Sequence, residues 1–164
     1  MQSASNLGTR VTCPCSWEVY SIQPNRLLLP TPLREQGPAE YGEGTTLTDT
    51  ANQIGEQFNV KTCRVLADLT QMDQCVRIVS EVEEQLGPID ILINNAGVAY
   101  YGPTEQMGLA KWDWLMQINL LSPIQITDHF IPQLLERPDA HIANMCSISG
   151  MVAGGRFAAY NTSK

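Results

Sequence analysis

The sequence predicts an α/β fold built on a doubly wound parallel sheet. Two observations carry this. From about Thr45 onward, amphipathic helical stretches alternate with short apolar runs, the pattern of successive βαβ units. Right-handed crossovers then place helices on both faces of the sheet. Polar clusters also follow three of the expected strands, at Asp68, at Asn94 to Gly97 and at Ser147. They fall at the strand ends where open α/β sheets bind ligands.

The chain has two textures. Residues 1–41 contain five prolines (Pro14, Pro24, Pro30, Pro32 and Pro38), no helical periodicity and one short apolar run, Leu27 to Leu29. They read as an irregular N-terminal segment. Residues 42–164 read as a partial Rossmann-like domain. Leu47, Ala51, Ile54 and Phe58 share one helical face, and Thr62 to Ala67 is a short strand ending at Asp68. Thr70 is placed as a helix N-cap, with Asp73 three residues on. Met72, Cys75, Val76, Val79, Val82 and Leu86 then form an apolar stripe, stopped by Gly87 and Pro88. Ile89 to Ile93 is a compact apolar strand. A long helical span covers 109–135, bent by Pro123 and Pro132. In that span Trp112, Leu115, Met116 and Ile118 read as core or subunit interface. His141 to Met145 is the last strand, leading to Ser147 and a helical turn that carries Tyr160.

Bulk properties narrow the function. A length of 164 residues fits one domain. The formal net charge is -7 and the ten basic residues are scattered, which argues against a nucleic-acid partner or an anionic membrane held through a basic surface. No run reaches the length and apolarity of a membrane span, and the first thirty residues lack a secretory pattern. The five cysteines (Cys13, Cys15, Cys63, Cys75 and Cys146) match neither a disulfide framework nor zinc spacing. Free thiols in a cytoplasmic protein are expected. His129 and His141 have no metal-like partners in the sequence, so no metal site is expected.

Tyr160 and Lys164 stand four apart, so a helix puts them on one face. An ammonium one turn from a phenol favours the phenolate, which makes a tyrosine usable as a general acid and base. Ser147 offers a hydroxyl for a substrate oxygen.

These residues form part of a larger ordered set. It comprises N-N-A-G at Asn94, Asn95, Ala96 and Gly97, I-N-L around Asn119, Ser147 thirteen residues before Tyr160, and Y-N-T-S-K ending at Lys164. From about Thr45 to Lys164 the chain resembles the short-chain dehydrogenase/reductase family. The resemblance implies hydride transfer between NAD or NADP and a small carbonyl/alcohol substrate. Tyr160 would exchange the proton on the substrate oxygen. Lys164 would support Tyr160 and bind the nicotinamide ribose, and Ser147 would orient the carbonyl. Asn119 would hold a water leading from Lys164 to solvent. Asp68 would contact the adenine ring, while Asn94, Ala96 and Gly97 would brace the sheet and face the adenine ribose. Cys146 is expected to be a small buried residue.

Two departures accompany the resemblance. The family's first strand leads into a T-G-x-x-x-G-x-G turn that lets the backbone approach the pyrophosphate. Here Cys13 to Pro24 contains no glycine, and Gly8, Gly37, Gly42 and Gly44 do not make the motif. The segment has the expected length with other content, as a shifted reading frame upstream of about Gly42 or a diverged N-terminus would give. The family also continues past the Tyr/Lys turn with further strands and a substrate loop. The 164 residues as written are therefore expected to be weak or inactive alone. The alternative reading is a non-catalytic truncated module that associates with full-length relatives. The 109–135 helix is the surface expected for such association or for homo-oligomers.

Overall fold

The computed structural model describes residues 16–21, 26–30 and 47–164. Cys13, Cys15, Gly8, Gly37, Gly42, Gly44 and the start of the expected domain at 42–46 lie outside the described residues. So does the side chain of Leu47.

A five-stranded sheet organises the molecule. Its strands are β1 (Ser16–Ser21), β2 (Arg26–Pro30), β3 (Thr62–Leu66), β4 (Ile91–Asn94) and β5 (His141–Asn144), in the order β3-β1-β2-β4-β5. β2, β4 and β5 are mutually parallel, with Leu27 opposite Ile91 and Asn94 opposite Asn144. β1 runs antiparallel to both β2 and β3, so β3 shares the direction of β2. Four of the five strands therefore point the same way, and β1 alone is reversed. This corrects two expectations. The segment 1–41 is not irregular throughout, because β1 and β2 fall within it. Nor is the sheet wholly parallel. Antiparallel strands can be joined by a short turn, whereas parallel neighbours need a crossover of a dozen or more residues.

The helices are α1 (Leu47–Phe58), α2 (Met72–Leu86), α3 (Leu109–Met116), α4 (Ser122–Leu135) and α5 (Ala158–Ser163). Period-two alternation sends Cys63 and Val65 of β3 into the core beneath α2. The other face of β3 receives α1, where Gly55 comes against Thr62. Helices thus cover both faces, as a doubly wound fold requires. Ala51 of α1 is buried, but Phe58 at its end is exposed, so the apolar stripe predicted there stops short.

α2 buries Cys75, Ile78, Val79, Val82 and Leu86. Met72 and Val76, expected on that stripe, are exposed, and Ile78 takes the inward position instead. The helix begins after Gln71, not Thr70. Thr70 folds back on Asp68, whose Oδ1 accepts from the Thr70 amide at 2.9 Å and hydroxyl at 2.8 Å. A local bond of this kind competes with capping. Gly87 ends the helix at φ 77°, its amide bonded to the Glu83 carbonyl at 2.9 Å.

Between α2, α4 and the sheet lies the main core, whose largest fully buried members include Phe130, Leu69, Ile78, Ile89, Leu92, Ile118 and Ile126. A smaller core of Met107, Leu115 and Ala159 seats α5 against α3, with Trp112 and Trp114 packed at its edge. The span predicted as one bent helix is α3 and α4 joined by a π-helical turn, Gln117–Leu121. Pro123 sits in the first turn of α4, directly after the π-helical turn, and Pro132 lies inside the helix. The Ser122 hydroxyl lies within hydrogen-bond reach of the carbonyls of Gln117, at 2.7 Å, and Leu69. β5 ends the sheet, with all four of its residues exposed.

Candidate active site

The residues singled out from the sequence follow the C-terminal ends of the parallel strands. Asp68 lies two residues beyond β3. Asn94 ends β4 and runs into Asn95, Ala96 and Gly97. Ser147 lies three residues beyond β5. The strand order reverses between these segments: the chain passes from β3 at one edge to β4 on the far side of β2. A crevice at such a switch point is where this architecture accepts ligands.

Asn94 is buried and holds the strands together. Its Nδ2 donates to Asn144 Oδ1 at 2.8 Å and to Thr127 Oγ1 at 2.9 Å, tying β4 to β5 and to α4. The main chain continues the seam, with the Met145 amide on the Asn94 carbonyl at 2.8 Å. Ala96 is buried beside it, while Asn95 is exposed.

Asn119 sits in the middle of the π-helical turn, a geometry that often marks functional sites. Its Oδ1 accepts from the Val98 amide at 2.8 Å. Its Nδ2 donates to the Val98 carbonyl at 2.9 Å and to Ser163 Oγ at 2.8 Å. Both amide donors are therefore committed. The water expected on Asn119 would have to use the remaining lone pair of Oδ1 or the backbone.

Lys164 reaches back across the crevice. Its Nζ donates to the Met145 carbonyl at 3.3 Å. A Cβ added to Gly97 would stand 3.1 Å from that Nζ and 3.5 Å from Asn119 Oδ1. Gly97, Asn119 and Lys164 thus converge, and a Cβ at position 97 would make the ammonium give by a few tenths of an ångström. Tyr160 and Lys164 line one open cavity of about 280 Å³ with Asn95, Gly97, Val98, Ala99, Met145 and Cys146. A second open cleft of about 430 Å³ adjoins it, sharing Met145, Cys146 and Lys164 and extending along α4 past Asn119 and Thr127. Phe157 packs beside Tyr160, their ring centroids 5.9 Å apart, and Tyr101 stacks on Phe157 at 4.9 Å.

Not every expected residue joins this group. Ser147 lines neither cavity. Its Oγ accepts from the Ser149 amide at 3.2 Å and caps the short 3-10 turn that follows. Asp68 likewise lines neither, its carboxylate engaged by Thr70. Cys146, expected to be buried, is exposed at the cavity rim. Among the described residues no group of three or more His, Cys, Asp or Glu could hold a metal ion. No helix among them is long and apolar enough to cross a membrane.

Sequence reasoning missed Thr127, Asn144 and Ser163. The structure supplies what the sequence did not signal: Asn144 is level with Asn94 in the sheet register, and Ser163 lies one turn from Tyr160 and is buried.

Comparison with known proteins gives the family. The profile of the short chain dehydrogenases matches residues 42–164. Gluconate 5-dehydrogenase of Gluconobacter oxydans is 30% identical over 136 residues, covering 79% of this chain and 53% of that protein. The 2-dehydro-3-deoxy-D-gluconate 5-dehydrogenase of Formosa agariphila is 32% identical over 111 residues, covering 68% of this chain and 39% of that protein. Among solved structures, the apo form of LigO from Sphingobium sp. strain SYK-6 superposes with a TM-score of 0.63 at 35% identity, over 71% of this chain and 43% of its own. A metagenomic short-chain oxidoreductase in complex with NADP gives a TM-score of 0.57 at 34% identity, over 60% and 45%. The chain spans about half or less of the length of these relatives.

Proposed function

This chain belongs to the short-chain dehydrogenase family, and from that premise we propose that it is an oxidoreductase site for hydride transfer between NAD or NADP and a small carbonyl/alcohol substrate. The observation that carries the reading is the meeting of Tyr160, Lys164, Asn95 and Gly97 around one cavity at the C-terminal edge of the sheet.

The residues present fit the nicotinamide-ribose end of such a cofactor. Lys164 offers an ammonium, Tyr160 a hydroxyl and Asn95 an amide, and Gly97 leaves open the space a side chain would fill. Asn94, Ala96 and Gly97 support the adenine-ribose side, and Asp68 is the residue proposed for the adenine ring. The glycine-rich pyrophosphate turn has no counterpart in the sequence, so dinucleotide affinity rests on these remaining contacts. When bound, the cofactor supplies or accepts the hydride.

The chain's own residues supply position and the proton. Tyr160 Oη gives its proton to the carbonyl oxygen during reduction and takes it back during oxidation. Lys164 holds the ribose hydroxyls and sets a positive charge beside the phenol. Asn119 fixes the segment after Gly97 against α5. Ser147 Oγ orients the substrate carbonyl by donating its own proton, which the bond it accepts from the Ser149 amide does not use. Gluconate and 2-dehydro-3-deoxy-gluconate, named for the two dehydrogenases above, suggest polyhydroxy acids as first substrates to try. The test is NAD(P)H oxidation by the purified chain against a panel of keto acids and keto sugars. Activity that Lys164→Ala lowers at least about tenfold supports the reading; a rate indifferent to Lys164 removes it.

A second reading has its own observation. Ile124, Ile131 and Leu135 of α4 are exposed apolar side chains. They suit association with a full-length relative or a second copy through the 109–135 span, with no turnover by this chain. Co-purification with such a relative, lost on Ile124→Lys, would favour it over catalysis.

A further inference from the structure

We propose that Ser163 is a positioning residue, whose hydroxyl couples Asn119 to the helical turn that bears Tyr160 and Lys164. Its place in the chain is distinctive. It precedes Lys164 by one residue and follows Tyr160 by three, and it borders the larger cleft with Asn119 and Lys164 while Tyr160 lines the smaller cavity. It is 6% exposed and Asn119 is 7% exposed, so the bond between them is shielded from water.

The hydrogen-bond inventory closes around this hydroxyl. A serine offers one proton and two lone pairs. Ser163 Oγ donates to the Tyr160 carbonyl at 2.9 Å and accepts from Asn119 Nδ2 at 2.8 Å. Asn119 in turn holds both the amide and the carbonyl of Val98. A continuous path therefore runs from the strand end after Gly97, through Asn119 and Ser163, to the backbone of Tyr160. α5 is only six residues long, and the last carbonyls of a helix lack partners within it. A short turn of this kind frays unless something outside fixes it. Ser163 satisfies one of those carbonyls, and Asn119 fixes Ser163. Lys164 itself is tied by its amide to the Asn161 carbonyl at 3.4 Å and by Nζ to the Met145 carbonyl at 3.3 Å.

Serine is needed here for its hydroxyl and not for its size. Alanine would fit the space but leave a buried Asn119 donor without a partner, which costs about 1–3 kcal/mol, or roughly fivefold to 150-fold in an equilibrium constant. The kinetic part of the proposal rests on the hydride-transfer reading, whereas the coupling of Ser163 to Asn119 does not.

The experiment uses the full 164-residue chain in wild-type, Ser163→Ala, Ser163→Thr, Asn119→Ala and doubly substituted forms. Urea unfolding gives a double-mutant cycle, and nitrogen-15 NMR follows proton exchange of the Asn119 side-chain amide. We expect Ser163→Ala to speed that exchange about tenfold or more, and the two alanine substitutions to be non-additive by at least about fivefold in the unfolding constant. Ser163→Thr, which keeps the hydroxyl, should restore wild-type exchange. In NAD(P)H-dependent reduction, Ser163→Ala should lower kcat about tenfold with KM changed less than about threefold, and Ser163→Thr should recover it. Additive substitutions with unchanged exchange overturn the proposal. If Ser163→Ala does not fold, Ser163→Thr decides: wild-type exchange at Asn119 supports the coupling, and fast exchange overturns it. If no variant turns over NAD(P)H, the hydride-transfer reading fails, and the cycle and the exchange rates still judge Ser163.

Discussion

Replacing Gly97 with alanine separates the demands of the site from those of the fold. The new Cβ would stand 3.1 Å from Lys164 Nζ, against 3.4–4 Å for ordinary contact. The ammonium must withdraw by a few tenths of an ångström, and its bond to the Met145 carbonyl, already 3.3 Å, is the interaction that yields. That bond is partly exposed, and its loss costs about 1 kcal/mol or less. Gly97 is not among the glycines with positive φ, so alanine adopts its backbone without strain. Reduced freedom of the unfolded chain returns about 0.4–1 kcal/mol. The two terms offset one another, and stability should stay within about 1 kcal/mol of wild type. Hydride transfer should respond far more, because a misplaced catalytic group can cost up to about 100-fold. Urea unfolding followed by tryptophan fluorescence, paired with initial rates of NAD(P)H oxidation, measures both. An unchanged rate, or a loss of stability beyond about 2 kcal/mol, would refute the claim that Gly97 is small to accommodate Lys164.

Phe130 has no accessible surface at the centre of the core, so Phe130→Ala should destabilise the fold by about 3–5 kcal/mol in the same urea assay. Alkaline pH should also weaken the fold. Burial pushes the Cys63 and Cys75 thiols above their ordinary 9.0, with the Glu81 carboxylate adding to the effect at Cys63 and Asp68 at Cys75. The folded state keeps protons that the unfolded chain releases, so this contribution is complete below pH 9.0 and is lost as pH rises from there through the raised folded values. Unfolding midpoints across that range should fall less steeply in Cys63→Ala/Cys75→Ala than in wild type. Equal slopes would contradict the assignment.

Much of this was legible in the sequence for stated physical reasons. α2 announced itself through a stripe of apolar residues and a Gly-Pro stop, and Gly87 does adopt the positive φ that ends a helix. The strand ends at Asn94 and beyond Asn144 followed from short apolar runs meeting polar clusters. Other features depended on tertiary contacts. Met72 and Val76 fit the stripe by spacing, yet the helix is rotated so that Ile78 faces inward. Thr70 looked like a cap, but Asp68 competes for both its amide and its hydroxyl. The hairpin of β1 and β2 was hidden because proline-rich composition outweighed short strand patterns, and pairing with β3 and β4 supplies what local propensity lacks. In the site, Tyr160 and Lys164, four apart in the sequence, both line one cavity. The roles of Thr127, Asn144 and Ser163 were not legible, because hydrogen bonds across 33–50 residues of sequence leave no local pattern.

The most direct measurement is turnover of NAD(P)H with a keto-acid and keto-sugar panel by the wild-type chain and by Tyr160→Phe, each checked for fold by circular dichroism. The account predicts slow carbonyl-dependent oxidation of NAD(P)H by the wild type and its abolition on removing the Tyr160 hydroxyl, with the fold retained. No carbonyl-dependent turnover by the wild type, or a Tyr160→Phe chain as active as its parent, would contradict it.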